Sequence, residues 1–140
     1  KIKSLGIKVE VTKSSSIVDY NELVEVKTTA SDGGENSVSG TLLGKANDPR
    51  IVEVDGNAIE VRPVDLLLVV RNVDKPGIVG KLGKILGDHG VNIANMSLSR
   101  ADCGGLALTI CELDEEPDQA VLGLLEAEPD IREARISRQS

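Results

Sequence analysis

The chain has 140 residues, 40% of them hydrophobic, a formal net charge of −7 and almost no aromatic side chains, with no Phe, no Trp and Tyr20 alone. An acidic chain is repelled by a phosphate backbone, and base stacking needs aromatic rings, so nucleic acid is disfavoured as a partner. The 16 Lys and Arg form no basic block, which argues equally against an anionic membrane surface.

No apolar run approaches the ~20 residues needed to span a bilayer, and no signal peptide is expected. Cys103 and Cys111 lack metal-ligand spacing, and His89 is the single histidine. Two reduced thiols, no bound metal and a cytoplasmic location are therefore expected.

In chain order, Gly6 reads as the end of a helix, followed by a strand alternating Ile7, Val9 and Val11. A helix beginning before residue 1 makes the chain the expected C-terminal piece of something longer. Leu23 to Thr28 sets Val24 and Val26 against Glu25 and Lys27, the period of a strand. After the turn cluster SDGGEN, Val38, Gly40 and Leu42 alternate with Ser37, Ser39 and Thr41. Ile51–Val54 and Ala58–Val61 flank Asp55-Gly56-Asn57, a hairpin turn. Residues 1–63 are thus expected to form a β-rich domain, incomplete at its N-terminus.

Pro63 punctuates the chain and the pattern changes. Leu66 to Val70 is an unbroken apolar run, as in a strand buried on both faces. Ile78, Val79, Leu82, Ile85 and Leu86 recur at helical spacing until Gly90. Val91 to Arg100 reads as a strand whose alternation slips near Ala94-Asn95, the mark of a bulge. The segment ADCGG turns the chain into a strand carrying Leu106, Leu108 and Ile110 on one face. Pro117 is placed in the first turn of a second helix with Val121, Leu124 and Leu125 as its apolar stripe, and Ile131, Ala134 and Ile136 close with a strand. The order βαββαβ over residues 64–140 predicts an α+β, ferredoxin-like sandwich with its first strand in the middle of the sheet.

The junction NVDKPGIVGKLGKILGDHGVNIANM carries the candidate site. A strand that stops just before a helix leaves unsatisfied N–H groups at the helix start, and these favour a carboxylate. Asn72, Asp74 and Asn92 add an acid and two amides, so the set fits a free amino acid. The competing reading makes Asp74 a helix cap, Asn92 a turn residue and the glycines a packing surface. Gly80, Gly83 and Gly87 line a stripe at i, i+3 and i+7, for which close approach of another backbone is the simplest account.

Phosphate motifs fail on spacing. GIVGKLGK is one residue too long for a P-loop and places Ile85 where Ser or Thr is required, and Gly77, Gly80 and Gly83 are spaced GxxGxxG rather than GxGxxG. His89 at the end of a helix reads as a partner of the last carbonyls rather than a base. Glu115-Glu116, Glu126 and Glu128 read as solvated faces, and no catalytic residue is identified.

The segment VVRNVDKPGIVGKLGKILGDHGVNIANMSLSR, with GGLALTICELD and IREARI after it, resembles an ACT domain. The preceding SVSGTLLGKANDPRIVEVDGNAIEVRP resembles the intervening (allosteric substrate-binding) domain of long bacterial D-3-phosphoglycerate dehydrogenases. The resemblance implies a β-rich α/β intervening domain over 1–63 and an ACT domain over 64–140. It implies L-serine as feedback effector, bound at Asn72, Asp74 and Asn92 with backbone from Lys75, Pro76, Gly77, Ile78 and Val79. This sequence departs from the family at Asn72, where His or Tyr is common. A weaker transfer makes Arg50 and Arg62 an anion site. The resemblance further implies self-association through the ACT domain, as a homodimer or higher. It implies no cofactor in this chain, with NAD and the catalytic residues in domains upstream. Two alternatives remain: the β-chain of an iron–sulfur L-serine dehydratase, and a ligand-free ACT-like oligomerisation module.

Overall fold

The computed structural model describes residues 8–14, 22–100 and 104–139. Gly6, Ile7 and Cys103, which carried the upstream-helix and thiol readings, lie outside them. Residue contacts divide the chain into two units at Pro63/Val64. Among the described residues no helix is long and apolar enough to cross a membrane.

The first unit is a five-stranded antiparallel meander in the order β1-β2-β3-β4-β5, from β1 (Lys8–Ser14), β2 (Leu23–Thr29), β3 (Glu35–Leu43), β4 (Asp48–Val54) and β5 (Asn57–Val61). The β4–β5 hairpin turns at Asp55 and Gly56, both with positive φ (47° and 78°), the geometry that Asp-Gly favours. Asp55 also accepts from the Ser37 N–H at 2.7 Å, fastening the turn to β3. The alternation along β3 points opposite to what hydrophobicity suggests. Ser39 and Thr41 are buried, whereas Val38 and Leu42 are 40% and 45% exposed. Thr41 offsets its burial by donating its hydroxyl to the Glu22 carbonyl.

The second unit runs β6 (Leu66–Val73), α1 (Ile78–Asp88), β7 (Ile93–Arg100), β8 (Leu106–Leu113), α2 (Gln119–Ala127) and β9 (Ile131–Arg138). Its sheet order is β7-β8-β6-β9, all pairs antiparallel, so β6 is interior and β7 and β9 are the edges. This is the ferredoxin-like topology, and with the first unit it makes the chain α+β. Leu68 and Val70 on β6 meet Ile78, Leu82 and Leu86 of α1 and Val121 and Leu125 of α2 in one buried cluster. The register slips between Ile93 and Asn95, which is the bulge expected at Ala94-Asn95. The second helix starts later than its proline suggests. Asp118 is its N-cap, accepting from the Val121 N–H at 2.9 Å, and Pro117 precedes the cap.

The glycine stripe of α1 differs from its reading as a packing surface. Gly80, Gly83 and Gly87 are exposed, and a Cβ built on any of them meets nothing within 4 Å in this chain. Gly83→Ala should therefore stabilise the protein by up to ~1 kcal/mol, the helix-propensity difference. Leu82→Ala, one residue away at 0% exposure, should cost ~2–5 kcal/mol. Urea denaturation of both variants checks the pair, and a destabilised Gly83→Ala would mean that another molecule occupies the stripe.

Candidate effector-binding site

Strand β6 delivers two of the candidate residues to one end of the sheet. Asn72 follows Leu68 and Val70 on the helix-covered face and is 0% exposed. Its Oδ1 accepts from the Thr109 hydroxyl at 2.9 Å, and its Nδ2 donates to the Val73 carbonyl at 3.0 Å. Both ends of the amide are satisfied inside the protein, so Asn72 is built into the core. Asp74 emerges two residues later, its N–H bonded to the Gly105 carbonyl at 2.8 Å. Its carboxylate lies 3.3 Å from the Arg100 guanidinium.

The loop from Lys75 to Val79 is pinned from outside. Lys75 Nζ is 2.7 Å from Asp130, and Lys81 bridges Glu128 at 2.7 Å and Asp130 at 3.6 Å. The hydrogen bond from Lys75 is the main cause holding the Asp130 carboxyl below its usual range. The Val73 N–H donates to the Asp130 carbonyl at 2.8 Å, so the same loop also anchors the strand end. After Pro76, Gly77 takes φ 91° at the N-cap of α1, where no side chain caps the helix and no acid stands in the first turn. The leading N–H groups are therefore open to an anionic ligand group. Ile78 plugs the core while Val79 is 47% exposed beside it.

Asn92 is elsewhere. Strand β7 begins with Ile93 beside Leu113 and ends with Arg100 beside Ala107, which pairs on its other side with Asn72. At ~3.3 Å per residue, the length of β7 separates Asn92 from Asp74 by roughly 26 Å. Asn92 has its own partners: its N–H donates to Glu115 at 2.8 Å, and its Nδ2 to Asp114 Oδ2 at 2.5 Å. A single chain thus brings Asn72, Asp74 and residues 75–79 together and leaves Asn92 at the far end.

In the first unit, Ile51 pairs with Val61, so Arg50 and Arg62 flank the same rung of the β4–β5 ladder. The Arg50 guanidinium lies 2.8 Å from Asp48 and 3.6 Å from Glu60. The hydrogen bond from Arg50, with lesser contributions from the charges of Arg50 and Arg62, lowers the Asp48 carboxyl below its ordinary value. Arg50 also lines a groove of about 410 Å³ with Lys13, Val24, Thr41 and Pro49.

Among the described residues of the second unit, no side chain is arranged as a nucleophile. Burial pushes the Cys111 thiol up to about 11, away from thiolate character. His89 Nδ1 lies 2.8 Å from the Ile85 carbonyl in the last turn of α1. Among the described residues no three His, Cys, Asp or Glu converge as a metal site.

Sequence reasoning missed Thr109, Arg100, Asp114 and Glu115. Each reaches its partner across strands or loops, between 22 and 37 residues away in the chain, so no local motif marks it. Thr109→Val should leave the buried Asn72 carbonyl oxygen without its donor and cost about 1–3 kcal/mol. Chemical denaturation reads that loss, and an unchanged midpoint would show that the hydroxyl contributes nothing there.

Residues 66–130 match the family model described as the ACT domain. Along most of its length the chain is similar to D-3-phosphoglycerate dehydrogenases. It is 37% identical to that of Mycobacterium leprae over 111 residues, 79% of this chain and 21% of the relative. To the Synechocystis protein it is 36% identical over 132 residues, 94% of this chain and 24% of the relative. To the Bacillus subtilis protein it is 31% identical over 134 residues, 96% and 25%. The chain spans a quarter or less of these curated relatives. The second unit belongs to the ACT domain family, and the chain that carries it is a relative of the regulatory region of D-3-phosphoglycerate dehydrogenases.

Proposed function

We propose that this chain is the effector-sensing part of an NAD-dependent D-3-phosphoglycerate dehydrogenase acting in L-serine biosynthesis, and that it binds L-serine. The NAD site and the catalytic residues belong to other domains of the whole cytoplasmic protein. The relatives reported above are dehydrogenases by name, which favours this reading over the dehydratase.

One observation carries the proposal: the candidate residues are split between the two ends of an edge strand. Among the described residues strand β7 pairs with β8 alone, an edge that a second copy can extend. A two-fold axis at Met96 makes that pairing antiparallel and sets Asn92 of the partner subunit against Arg100, because both lie four residues from the axis. Arg100 is the residue that touches Asp74. Edge pairing therefore brings Asn92 of the partner subunit to the Asp74 end of the sheet, twice per dimer.

In the assembled site the first-turn N–H groups of α1 take the ligand carboxylate and Asp74 takes its ammonium. Arg100, with 59% of its side chain exposed, is free to shift toward the carboxylate as Asp74 turns to the ammonium. A ligand touching both chains favours whichever dimer geometry it fits better, and that preference is what the rest of the enzyme reads. In the first unit, Arg50 and Arg62 are the matching positions for an anion, which must displace Asp48 and Glu60 from Arg50 to bind.

Calorimetry with L-serine tests the site. Asp74→Ala and Asn92→Ala should each weaken binding at least ~tenfold, the loss of a charged hydrogen bond. Mixing the two variants and allowing subunits to exchange should restore one wild-type site per mixed dimer, since Asp74 and Asn92 then come from different intact halves. Unchanged affinity in both single variants would sink the assignment. No recovery on mixing would overturn the composite site, and a monomer by sedimentation with and without serine would end the edge pairing.

A further inference from the structure

We infer that Asp114 is a positioning residue that turns the amide of Asn92 so that its oxygen, not its nitrogen, meets the ligand, which makes the partner's contribution a receptor for the ligand's ammonium group. The inference rests on the amino-acid site proposed above and specifies its polarity. An asparagine amide is ambiguous by itself, because one end donates and the other accepts. Left alone it serves a carboxylate or an ammonium equally, and a ligand carrying both groups binds in either sense.

The surroundings of Asn92 remove that ambiguity. Asp114 Oδ2 lies 2.5 Å from its Nδ2, and an ionised carboxylate only accepts, so the end of the amide that faces it must be the nitrogen. The backbone locks the same arrangement. The Asp114 N–H donates to the Asn92 carbonyl at 3.1 Å, and the Asn92 N–H donates to Glu115 Oε2 at 2.8 Å. The bulge at Ala94 follows directly on this clasp, so the Asn92–Ile93 end of β7 is held against Leu113 and Asp114, at the end of β8, one step out of register with the rest of the pair. One N–H of Nδ2 is thus committed to Asp114, which turns Oδ1 away from that carboxylate. Two carboxylates stand beside the amide, on Asp114 and Glu115, and both are exposed. An oxygen acceptor flanked by negative charge repels a ligand carboxylate and attracts an ammonium. The opposite half of the composite site has the complementary character, with Arg100 and the uncapped start of α1. Each ligand is therefore oriented one way, with its ammonium toward the Asp74–Asn92 side and its carboxylate over the helix.

Replacement at position 114 tests this. Asp114→Asn keeps shape and hydrogen-bonding capacity but offers both a donor and an acceptor, so the paired amides flip together and the orientation is lost. L-serine affinity, measured by calorimetry on the full chain, should fall about tenfold. Asn92→Asp alone sets two carboxylates against each other and should lose binding as well. The double variant Asn92→Asp with Asp114→Asn restores the order: the new amide donates to residue 92, which again presents an acceptor. It should recover most of the affinity, a result that a merely structural role or simple charge attraction by Asp114 does not give. A second readout is N-acetyl-L-serine, which lacks the ammonium and should bind wild type and Asp114→Asn equally weakly. Serine binding unchanged in Asp114→Asn, or no recovery in the double variant, overturns the inference and leaves the site standing. No binding of L-serine to wild type overturns the site, and the inference with it.

Discussion

Strand β6 is the element on which the second unit depends. Its run from Leu66 to Val70 offers apolar side chains to both faces, the pattern of a strand in the interior of a sheet. Pairing with β8 and β9 places it inside the sheet, and everything C-terminal to Val70 inherits that position. Asn72 is consequently driven into the core, where its amide is tolerated because Thr109 and the Val73 carbonyl satisfy it. Asp74 is the first side chain past that point whose carboxylate reaches a surface cation, and the helix begins at once.

The loop between strand and helix owes its shape to backbone bonds more than to its ion pairs. Lys75, Lys81 and Arg100 are each about half exposed in the side chain, and solvent-screened pairs of that kind contribute little. The bonds from Val73 to Asp130 and from Asp74 to Gly105 are different, since they tie the strand end to the two neighbouring turns whatever the salt concentration. A rigid strand end followed by exchangeable ion pairs suits a ligand site.

Edge strand β7 supplies the other constraint. A four-stranded sheet must leave two edges, and the ferredoxin-like order makes β7 one of them. The strand carries Asn92 at its start and Arg100 at its end, so antiparallel pairing across a two-fold axis exchanges these ends between copies. The half-sites proposed above lie at opposite ends of that strand in each chain. The acidic clasp on Asn92 and the cationic, uncapped entrance to α1 give the two halves opposite character.

Much of this was legible in the residues themselves. Periodicity located the strands and both helices of the second unit, the slip at Ala94-Asn95 located the bulge, and Pro76-Gly77 located the turn, because each of these is a local property of the backbone and its side-chain spacing. The start of α2 was misplaced because Pro117 and Asp118 both mark helix beginnings, and only the bond from Val121 to Asp118 decides between them. The orientation of β3 was not legible either. Alternation shows that Val38 and Ser39 point to opposite faces, but which face is covered depends on what lies over the sheet, and the structure buries the serine. The candidate site shows the same division. The sequence by itself determined the strand, the turn, the helix and the kinds of side chain at Asn72, Asp74 and Asn92. Only the tertiary structure decided that Asn72 is enclosed, that Asp74 meets Arg100, and that Asn92 stands a strand's length away in the grip of Asp114 and Glu115. Those are contacts between residues far apart in the chain, set by which strands become neighbours, and no local pattern records them.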